Sequence, residues 1–266
     1  MIRLIATDMD GTLLDSQKRM PGDLMRVVRA LRERGVAFVV ASGRQYHSLR
    51  RDFDGLADEI IYIAENGALI VEDGRQLFLD SMPAETVVDV LEKTRNLEDV
   101  YPVVCCASGA LVEAGSSEAF IAGVRQYYQN TQVVPDLIKA CAALDDVCKL
   151  AFFDETQAAT RALPALENAL SDDLEVIHSS EQWVDVMKPG IDKGRAMKML
   201  MELKGVSPGM CMAFGDYLND IELLEAVGES YAMANAVEEA KRVAKYIAPS
   251  NDEDGVLHVI RERFGI

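Results

Sequence analysis

An open, doubly wound α/β sheet of parallel strands, with an α+β segment inserted into it, is the fold this sequence predicts. Three observations predict it. Short, unbroken apolar runs alternate with helical periodicity at both ends of the chain, the pattern of strands buried on both faces. The central stretch abandons that alternation for hairpins and separate helices. The chain of 266 residues, 49% hydrophobic and 27% charged, is long and apolar enough for two compact units.

Taken in order, residues 2–7 form the first strand, and residues 23–34 a helix with Leu24, Val27, Val28 and Leu31 on one face, closed by Gly35. Residues 36–41 and 60–64 are continuous apolar strands, and residues 68–79 a hairpin turning at Asp73-Gly74. Pro83 opens a helix that runs to residue 97. Residues 100–106 and 110–113 read as an antiparallel pair joined at Ser108-Gly109. A helix over 118–128, a strand over 147–153, a helix over 156–170 and strands over 174–177 and 183–187 complete this mixed region. The alternation then returns, with helices over 192–203, 218–227, 237–244 and 255–264 and strands over 210–214, 231–233 and 246–248. The insert is therefore placed at residues 82–187 and the parallel core at 1–81 and 188–266.

A formal net charge of −17 leaves no basic stripe to neutralise nucleic-acid phosphates, so a nucleic-acid partner is not expected. An anionic substrate would need positive charge supplied locally, by a metal, a lysine or helix N-termini. The five cysteines are odd in number and never spaced Cys-x-x-Cys, which reads as reduced thiols of a cytoplasmic protein rather than a zinc site. No secretory signal is expected at the N-terminus, and no apolar stretch approaches the roughly 18 residues of a membrane span. His47, His178 and His258 show no metal or triad spacing.

Asp8-Met9-Asp10-Gly11-Thr12 stands where the first strand runs out. Side chains two apart on an extended chain point the same way, so Asp8 and Asp10 are expected to look into one space unless the chain turns between them. A strand-end turn alone would use Asp and Gly. Two acids there suit either a nucleophile beside a proton-handling carboxylate or a shared hard cation. Ser42-Gly43 follows the second strand and offers a hydroxyl and an unhindered amide to a phosphate. Gly215-Asp216-x-x-Asn219-Asp220 follows the strand over 210–214. Asp216 as an N-cap and Asp220 as a solvated helix acid would leave Asn219 unexplained. Lys193 opens a helix, where the dipole disfavours a cation, and makes better sense reaching toward an anion. In open α/β sheets the ligand crevice lies beyond the carboxyl ends of the strands, so these distant clusters converge on one site.

The motifs Asp8-x-Asp10-Gly11-Thr12-Leu13-Leu14, Ser42-Gly43-Arg44, Glu65-Asn66-Gly67-Ala68, Lys193-Gly194 and Gly215-Asp216-x-x-Asn219-Asp220 occur in that order. Together they resemble the haloacid dehalogenase superfamily, and most closely its Cof-type phosphatases, whose class IIB cap domain lies between the second and third motifs. Asn235-Ala236 and Ser250-Asn251-Asp252-Glu253-Asp254-Gly255-Val256 resemble the family's C-terminal segments. The resemblance implies a Rossmann-like core with a cap, and a Mg²⁺-dependent phosphatase of small phosphorylated metabolites such as sugar phosphates. It implies that Asp8 forms an aspartyl-phosphate while Asp10 protonates the leaving alcohol and then activates water. It places Mg²⁺ on the Asp8 carboxylate, the Asp10 backbone carbonyl and Asp216, with Asp220 behind them. Ser42, Gly43, Lys193 and Asn219 would hold the phosphoryl group. Ala234 stands where such proteins usually have Gly, and Tyr217 where a small residue is frequent. A phosphomutase or phosphotransferase using the same intermediate is the alternative. A non-catalytic regulator is disfavoured by the intact Asp8, Asp10, Lys193 and Asp216.

Overall fold

The computed structural model of the protein describes residues 1–128, 130–155 and 158–266. Its first unit comprises Met1–Phe78 and Asp192–Ile266, and its second Leu79–Ile191.

The first unit opens with β1 (Leu4–Thr7), α1 (Leu24–Glu33), β2 (Ala37–Ala41), α2 (Tyr46–Asp52), β3 (Ile60–Ala64), β4 (Leu69–Glu72) and β5 (Arg75–Leu79). The second unit contains α3 (Ala84–Thr94), β6 (Val100–Cys106), β7 (Gly109–Glu113), α4 (Glu118–Tyr127), β8 (Thr131–Val134), α5 (Leu137–Cys141), β9 (Val147–Asp154), α6 (Ala162–Ala169), β10 (Glu175–Ser180) and β11 (Trp183–Met187). The first unit resumes with α7 (Lys193–Lys204), β12 (Cys211–Gly215), α8 (Ile221–Ala226), β13 (Glu229–Met233), α9 (Glu238–Val243), β14 (Tyr246–Ala248) and α10 (Gly255–Phe264).

The first unit is one eight-stranded sheet in the order β14-β13-β12-β1-β2-β3-β4-β5. The strands from β14 to β3 run parallel, and β4 turns antiparallel against β3. Leu4, Ile5, Ala6 and Thr7 are all buried, as are all five residues of β3 and of β12, which is why these strands read as unbroken apolar runs. The apolar face of α1 is the expected one, with Leu24, Val27, Val28 and Leu31 buried. At Asp73 and Gly74, φ values of 49° and 71° make the tight hairpin turn between β4 and β5.

The second unit is a six-stranded sheet in the order β10-β11-β9-β6-β7-β8. Strand alternation divides its core between two faces. Val104, Cys106, Leu150 and Phe152 join one cluster with Val87 and Val90 of α3 and Leu166 of α6. Val103, Cys105 and Ala151 join the other with Phe120 and Val124 of α4. The pair β6–β7 is antiparallel across Ser108-Gly109, as expected.

Several elements depart from expectation. The short α2, β8 and α5 are additional: α2 carries mostly polar residues, and β8 is a partly exposed edge strand. The helix expected over 156–170 begins in the structure at Ala162, and Thr156 and Gln157 lie outside the described residues. The helix expected over 218–227 starts as a 3₁₀ turn, Leu218–Asp220, before α8. All five cysteines are buried. No helix among the described residues is long and apolar enough to cross a membrane.

Helices α7 and α8 pack through Gly194, where an added Cβ would fall 2.1 Å from the Glu222 carbonyl oxygen. That atom is helix backbone and cannot swing aside. We therefore expect Gly194→Ala to destabilise the protein by about 1–3 kcal/mol through overpacking, read as a lower urea midpoint with an unchanged slope.

Candidate active site

The parallel register brings three loops to one edge of the sheet. Thr7 of β1 lies level with Val40 of β2 on one side and Phe214 of β12 on the other. The residues that follow are Asp8 after β1, Ser42 and Gly43 after β2, and Asp216 after β12. The Asp8 amide still donates to the Phe214 carbonyl at 3.1 Å, so the first acid is fixed to the strand ladder.

Lys193, the first residue of α7, is 1% exposed. Its Nζ donates to Asp8 Oδ1 and to Asp220 Oδ1, both at 2.7 Å. An unpaired ammonium in this position would cost several kcal/mol, and the two carboxylates offset that penalty. The second oxygen of Asp220 accepts the amides of Asp216 (2.9 Å) and Tyr217 (3.1 Å). Asp220 is thus a fully buried bracket, and the solvated-acid reading fails. Asp216 Oδ1 accepts the Thr12 hydroxyl at 2.6 Å. Gly11, at φ 84°, lies against the same carboxylate: a Cβ there would come within 2.4 Å of Asp216 Oδ2. Only glycine allows the loop after β1 to approach so closely.

These contacts gather Asp8, Asp216 and Asp220, one carboxylate oxygen of each lying within 4.8 Å of the others. Burial pushes the Asp8 carboxyl up to about 7, with Lys193 opposing and Asp220 and Asp216 adding to the rise. Burial likewise raises Asp216 to about 6, against the Thr12 hydrogen bond. For Lys193, burial favours the neutral amine, but Asp8 and Asp220 outweigh it and hold the ammonium above its ordinary range. Two acids held this far above the usual carboxylate range, with oxygen donors only, fit a hard divalent cation. Asp8 and Asp216 would hold it, since both Asp220 oxygens are already engaged.

Asp10 departs from expectation. The chain turns immediately after Asp8, where the amides of Leu13 and Leu14 donate to the Met9 carbonyl at 3.1 and 2.8 Å. The Asp10 carboxylate therefore lies outside the acid cluster. Arg44 grips it through Nε (2.8 Å) and Nη2 (2.6 Å), and Lys18 Nζ adds a contact of 2.7 Å. Burial alone would raise Asp10, but these hydrogen bonds prevail and hold it below the ordinary carboxylate range.

The remaining expected residues line the neighbourhood. Ser42 is buried, and its Oγ accepts the Arg44 amide at 3.2 Å. Gly43 packs against Asn66, whose Oδ1 would lie 2.7 Å from an added Cβ. Asn219 is exposed and its amide reaches the same Asn66 oxygen at 3.5 Å, so it diverges from the buried Asp220 across the 3₁₀ turn.

Other residues of the site were not singled out by sequence reasoning. Thr12 and Arg44 sit inside the quoted motifs, yet their contacts depend on tertiary geometry. Asn235 Nδ2 donates to the Gly11 carbonyl (2.7 Å) and Asn251 Nδ2 to that of Leu14 (2.9 Å), so both C-terminal motifs brace the Asp8 loop. Ala234 is not among the residues with positive φ, which is why alanine serves there in place of glycine. Tyr217 is exposed.

A family model described as haloacid dehalogenase-like hydrolase matches residues 5–260. The chain is 32% identical to the 5-amino-6-(5-phospho-D-ribitylamino)uracil phosphatase YbjI of Escherichia coli (strain K12), across 97% of this chain and 95% of that protein. It is 29% identical to the HMP-PP phosphatase of Escherichia fergusonii, across 89% of this chain and 86% of that one. Among solved structures, SMU.1108c from Streptococcus mutans UA159 superposes with a TM-score of 0.84 at 28% identity, over 100% of both chains.

The raised acids generate a pH-dependent prediction. Asp216 ionises at about 6 in the folded protein against an ordinary 3.8, so ionised burial costs nothing below 3.8, grows through that window and is complete above about 6. Asp216→Asn keeps an acceptor for Thr12 and removes the charge. With EDTA present, the variant should melt a few degrees above the wild type at pH 8, the gap closing toward pH 4. Calorimetry showing the same gap at both pH values would contradict it.

Proposed function

The chain belongs to the haloacid dehalogenase-like hydrolases as a Cof-type member, and on that premise we propose that it is a Mg²⁺-dependent phosphatase of small metabolites, working through an aspartyl-phosphate on Asp8. The observation that carries this reading is the pairing of Asp8 with the buried Lys193 beside Asp216. Lys193 engages one Asp8 oxygen and leaves the other for phosphorus.

In the first half-reaction, Asp8 Oδ2 bonds to phosphorus as the ester P–O bond breaks, and a proton passes to the departing alcohol oxygen from Asp10, which must take up that proton in exchange for its contacts with Arg44 and Lys18. In the second, a water oxygen bonds to phosphorus and the P–O bond to Asp8 breaks. The proton released by the water returns to Asp10, so both acids are regenerated and the net change is ester plus water to alcohol plus inorganic phosphate. Lys193, the Ser42 hydroxyl, the Gly43 amide and the Asn219 side chain hold the phosphoryl oxygens. The Asp8 and Asp216 carboxylates and the Asp10 carbonyl would hold Mg²⁺, which when bound would neutralise charge on the phosphate dianion.

The Escherichia coli relative is named for a substrate carrying a 5-phospho-D-ribityl group, which supports phosphorylated sugar derivatives as the substrate class. We assign the choice of leaving group to the inserted unit, Leu79–Ile191, as the cap domain. Buried cysteines suit a reducing, cytoplasmic setting.

Asp8→Asn tests the nucleophile. Steady-state phosphate release should fall by about a thousandfold or more while the circular dichroism spectrum is retained. EDTA should abolish wild-type release and added Mg²⁺ restore it. Wild-type turnover persisting in Asp8→Asn would remove the reading. Phosphate transferred to an added sugar, in place of free phosphate, would turn it into a phosphotransferase.

A further inference from the structure

The Glu65-Asn66-Gly67-Ala68 motif forms the turn after β3, and the reaction described above gives it no part. Its backbone is unusual. Glu65, Asn66 and Gly67 have φ values of 50°, 55° and 111°, three successive residues in the left-handed region, two of them not glycine. Such a conformation is costly, persists only where its surroundings impose it, and clusters at functional sites.

The surroundings here are the elements that carry the phosphoryl-binding residues. The Glu65 amide donates to the Arg44 carbonyl and the Asn66 amide to the Ser42 carbonyl, both at 3.1 Å. Gly67 lies against Asp192, where an added Cβ would fall 2.3 Å from the carbonyl oxygen. Asp192 caps α7 by accepting the Arg195 amide at 2.7 Å, and Lys193 follows it. The turn thus joins the Ser42-Gly43 loop to the start of the helix that carries Lys193. From it the Asn66 side chain packs on Gly43, with Oδ1 2.7 Å from where a Cβ would stand. The same oxygen accepts Asn219 Nδ2 at 3.5 Å.

Stability is a poor reason for that last contact, which is long and joins an exposed asparagine. Orientation is a better one. A carboxamide keeps its shape when its oxygen and nitrogen exchange places, so an unconstrained asparagine offers a phosphoryl oxygen either a donor or a repelling acceptor. Asn66 Oδ1 only accepts. It therefore selects the arrangement with Nδ2 on its own side, takes one of the two Nδ2 hydrogens and leaves the other for a ligand. Among the described residues, Asn66 is the one hydrogen-bond partner of the Asn219 side chain.

We propose that Asn66 is the positioning residue of Asn219, fixing its carboxamide so that nitrogen, not oxygen, meets the phosphoryl group. This role rests on the phosphatase reading and extends it to a motif outside the residues that hold phosphate. If Asn66 touched the phosphoryl group itself, its loss would add to that of Asn219. If it only shaped the turn, its loss would lower stability and leave phosphate affinity alone.

The probe is inorganic phosphate, measured as a competitive inhibitor of p-nitrophenyl phosphate hydrolysis with Mg²⁺ present. Glycine accepts the left-handed backbone, so Asn66→Gly should melt within about 3 °C of the wild type. Its inhibition constant for phosphate should nonetheless rise about fivefold, the order expected when a donor is released from one rotamer. Asn219→Ala should raise the constant about tenfold. Adding Asn66→Gly to Asn219→Ala should change it by less than about twofold, since the two act as a unit. Asn66→Asp serves if the glycine variant folds poorly, because it tolerates the same backbone and keeps an acceptor for Asn219. The loss its charge causes should be equal with and without Asn219, and a loss confined to the protein that retains Asn219 would overturn the role. So would an unchanged inhibition constant in Asn66→Gly, or a full fivefold loss in the Asn219→Ala background. A wild-type protein that neither hydrolyses p-nitrophenyl phosphate nor binds phosphate would instead remove the phosphatase reading, and this role with it.

Discussion

A single buried ammonium organises this site. Lys193 begins a helix, where the positive end of the dipole repels it, and it is almost completely removed from water. Both penalties are met by Asp8 and Asp220, which arrive from the end of β1 and from the turn after β12. Three segments far apart in the chain are thereby tied at one point, and any of them displaced would strand a buried charge. The surrounding design serves that tie. The parallel pairing of β1 with β12 sets Asp8 and the Gly215-Asp216 turn side by side, and Gly194 lets α7 settle against α8 so that Lys193 reaches both partners.

The tie also explains how a protein of net charge −17 handles an anion. Positive charge is concentrated rather than spread: one lysine beneath Asp8, one arginine and one lysine on Asp10, and a carboxylate pair suited to a divalent cation. Burial drives Asp8 and Asp216 above the ordinary carboxylate range, and the neighbouring charge of Asp220 adds to the rise in both. A site built this way has strong reason to bind a cation and little affinity for phosphate without one. The acids separate into distinct environments, buried at Asp8 and Asp216 and clamped by cations at Asp10, a division suited to distinct chemical duties.

Sequence reasoning read well wherever burial was two-sided. Residues 60–64, 100–106 and 183–187 are strands to the residue, the first as a continuous apolar run and the others as short stretches rich in β-branched and aromatic residues. It read poorly where elements are short and half wet: α2, β8 and α5 lack a periodic face long enough to recognise. The convergence of Asp8 with Asp216 and Asp220 was legible from strand ends, because parallel topology dictates it, whereas Lys193 was signalled only by its unfavourable place at a helix start. The position of Asp10 was not. Strand alternation holds only while the chain stays extended, and here it turns at Met9 with Gly11 in the left-handed region. The grip of Arg44 was equally hidden, since a guanidinium on a loop could face any of several acids.

The loop carrying Asp8 and Asp10 is held in shape by partners that local sequence cannot supply. Its carbonyl groups at Gly11 and Leu14 accept hydrogen bonds from Asn235 and Asn251, and Asn235 in turn accepts the Asn251 amide at 3.1 Å. The amide of Ser16 donates to Asp252 at 2.8 Å. The contacts to Gly11, Leu14 and Ser16 span more than two hundred residues of chain, so they form only when the last strands of the sheet have joined the first. Thr12 on Asp216 follows the same pattern, whereas Arg44 reaches Asp10 from the neighbouring β2. The loop carrying Asp8 and Asp10 thus adds partners from the completed sheet to its own bonds onto the Met9 carbonyl. That accounts for polar residues with no part in the chemistry, such as Asn235 and Asn251, standing at the far end of the chain. Each satisfies a backbone carbonyl that a tight, glycine-bearing turn would otherwise leave bare.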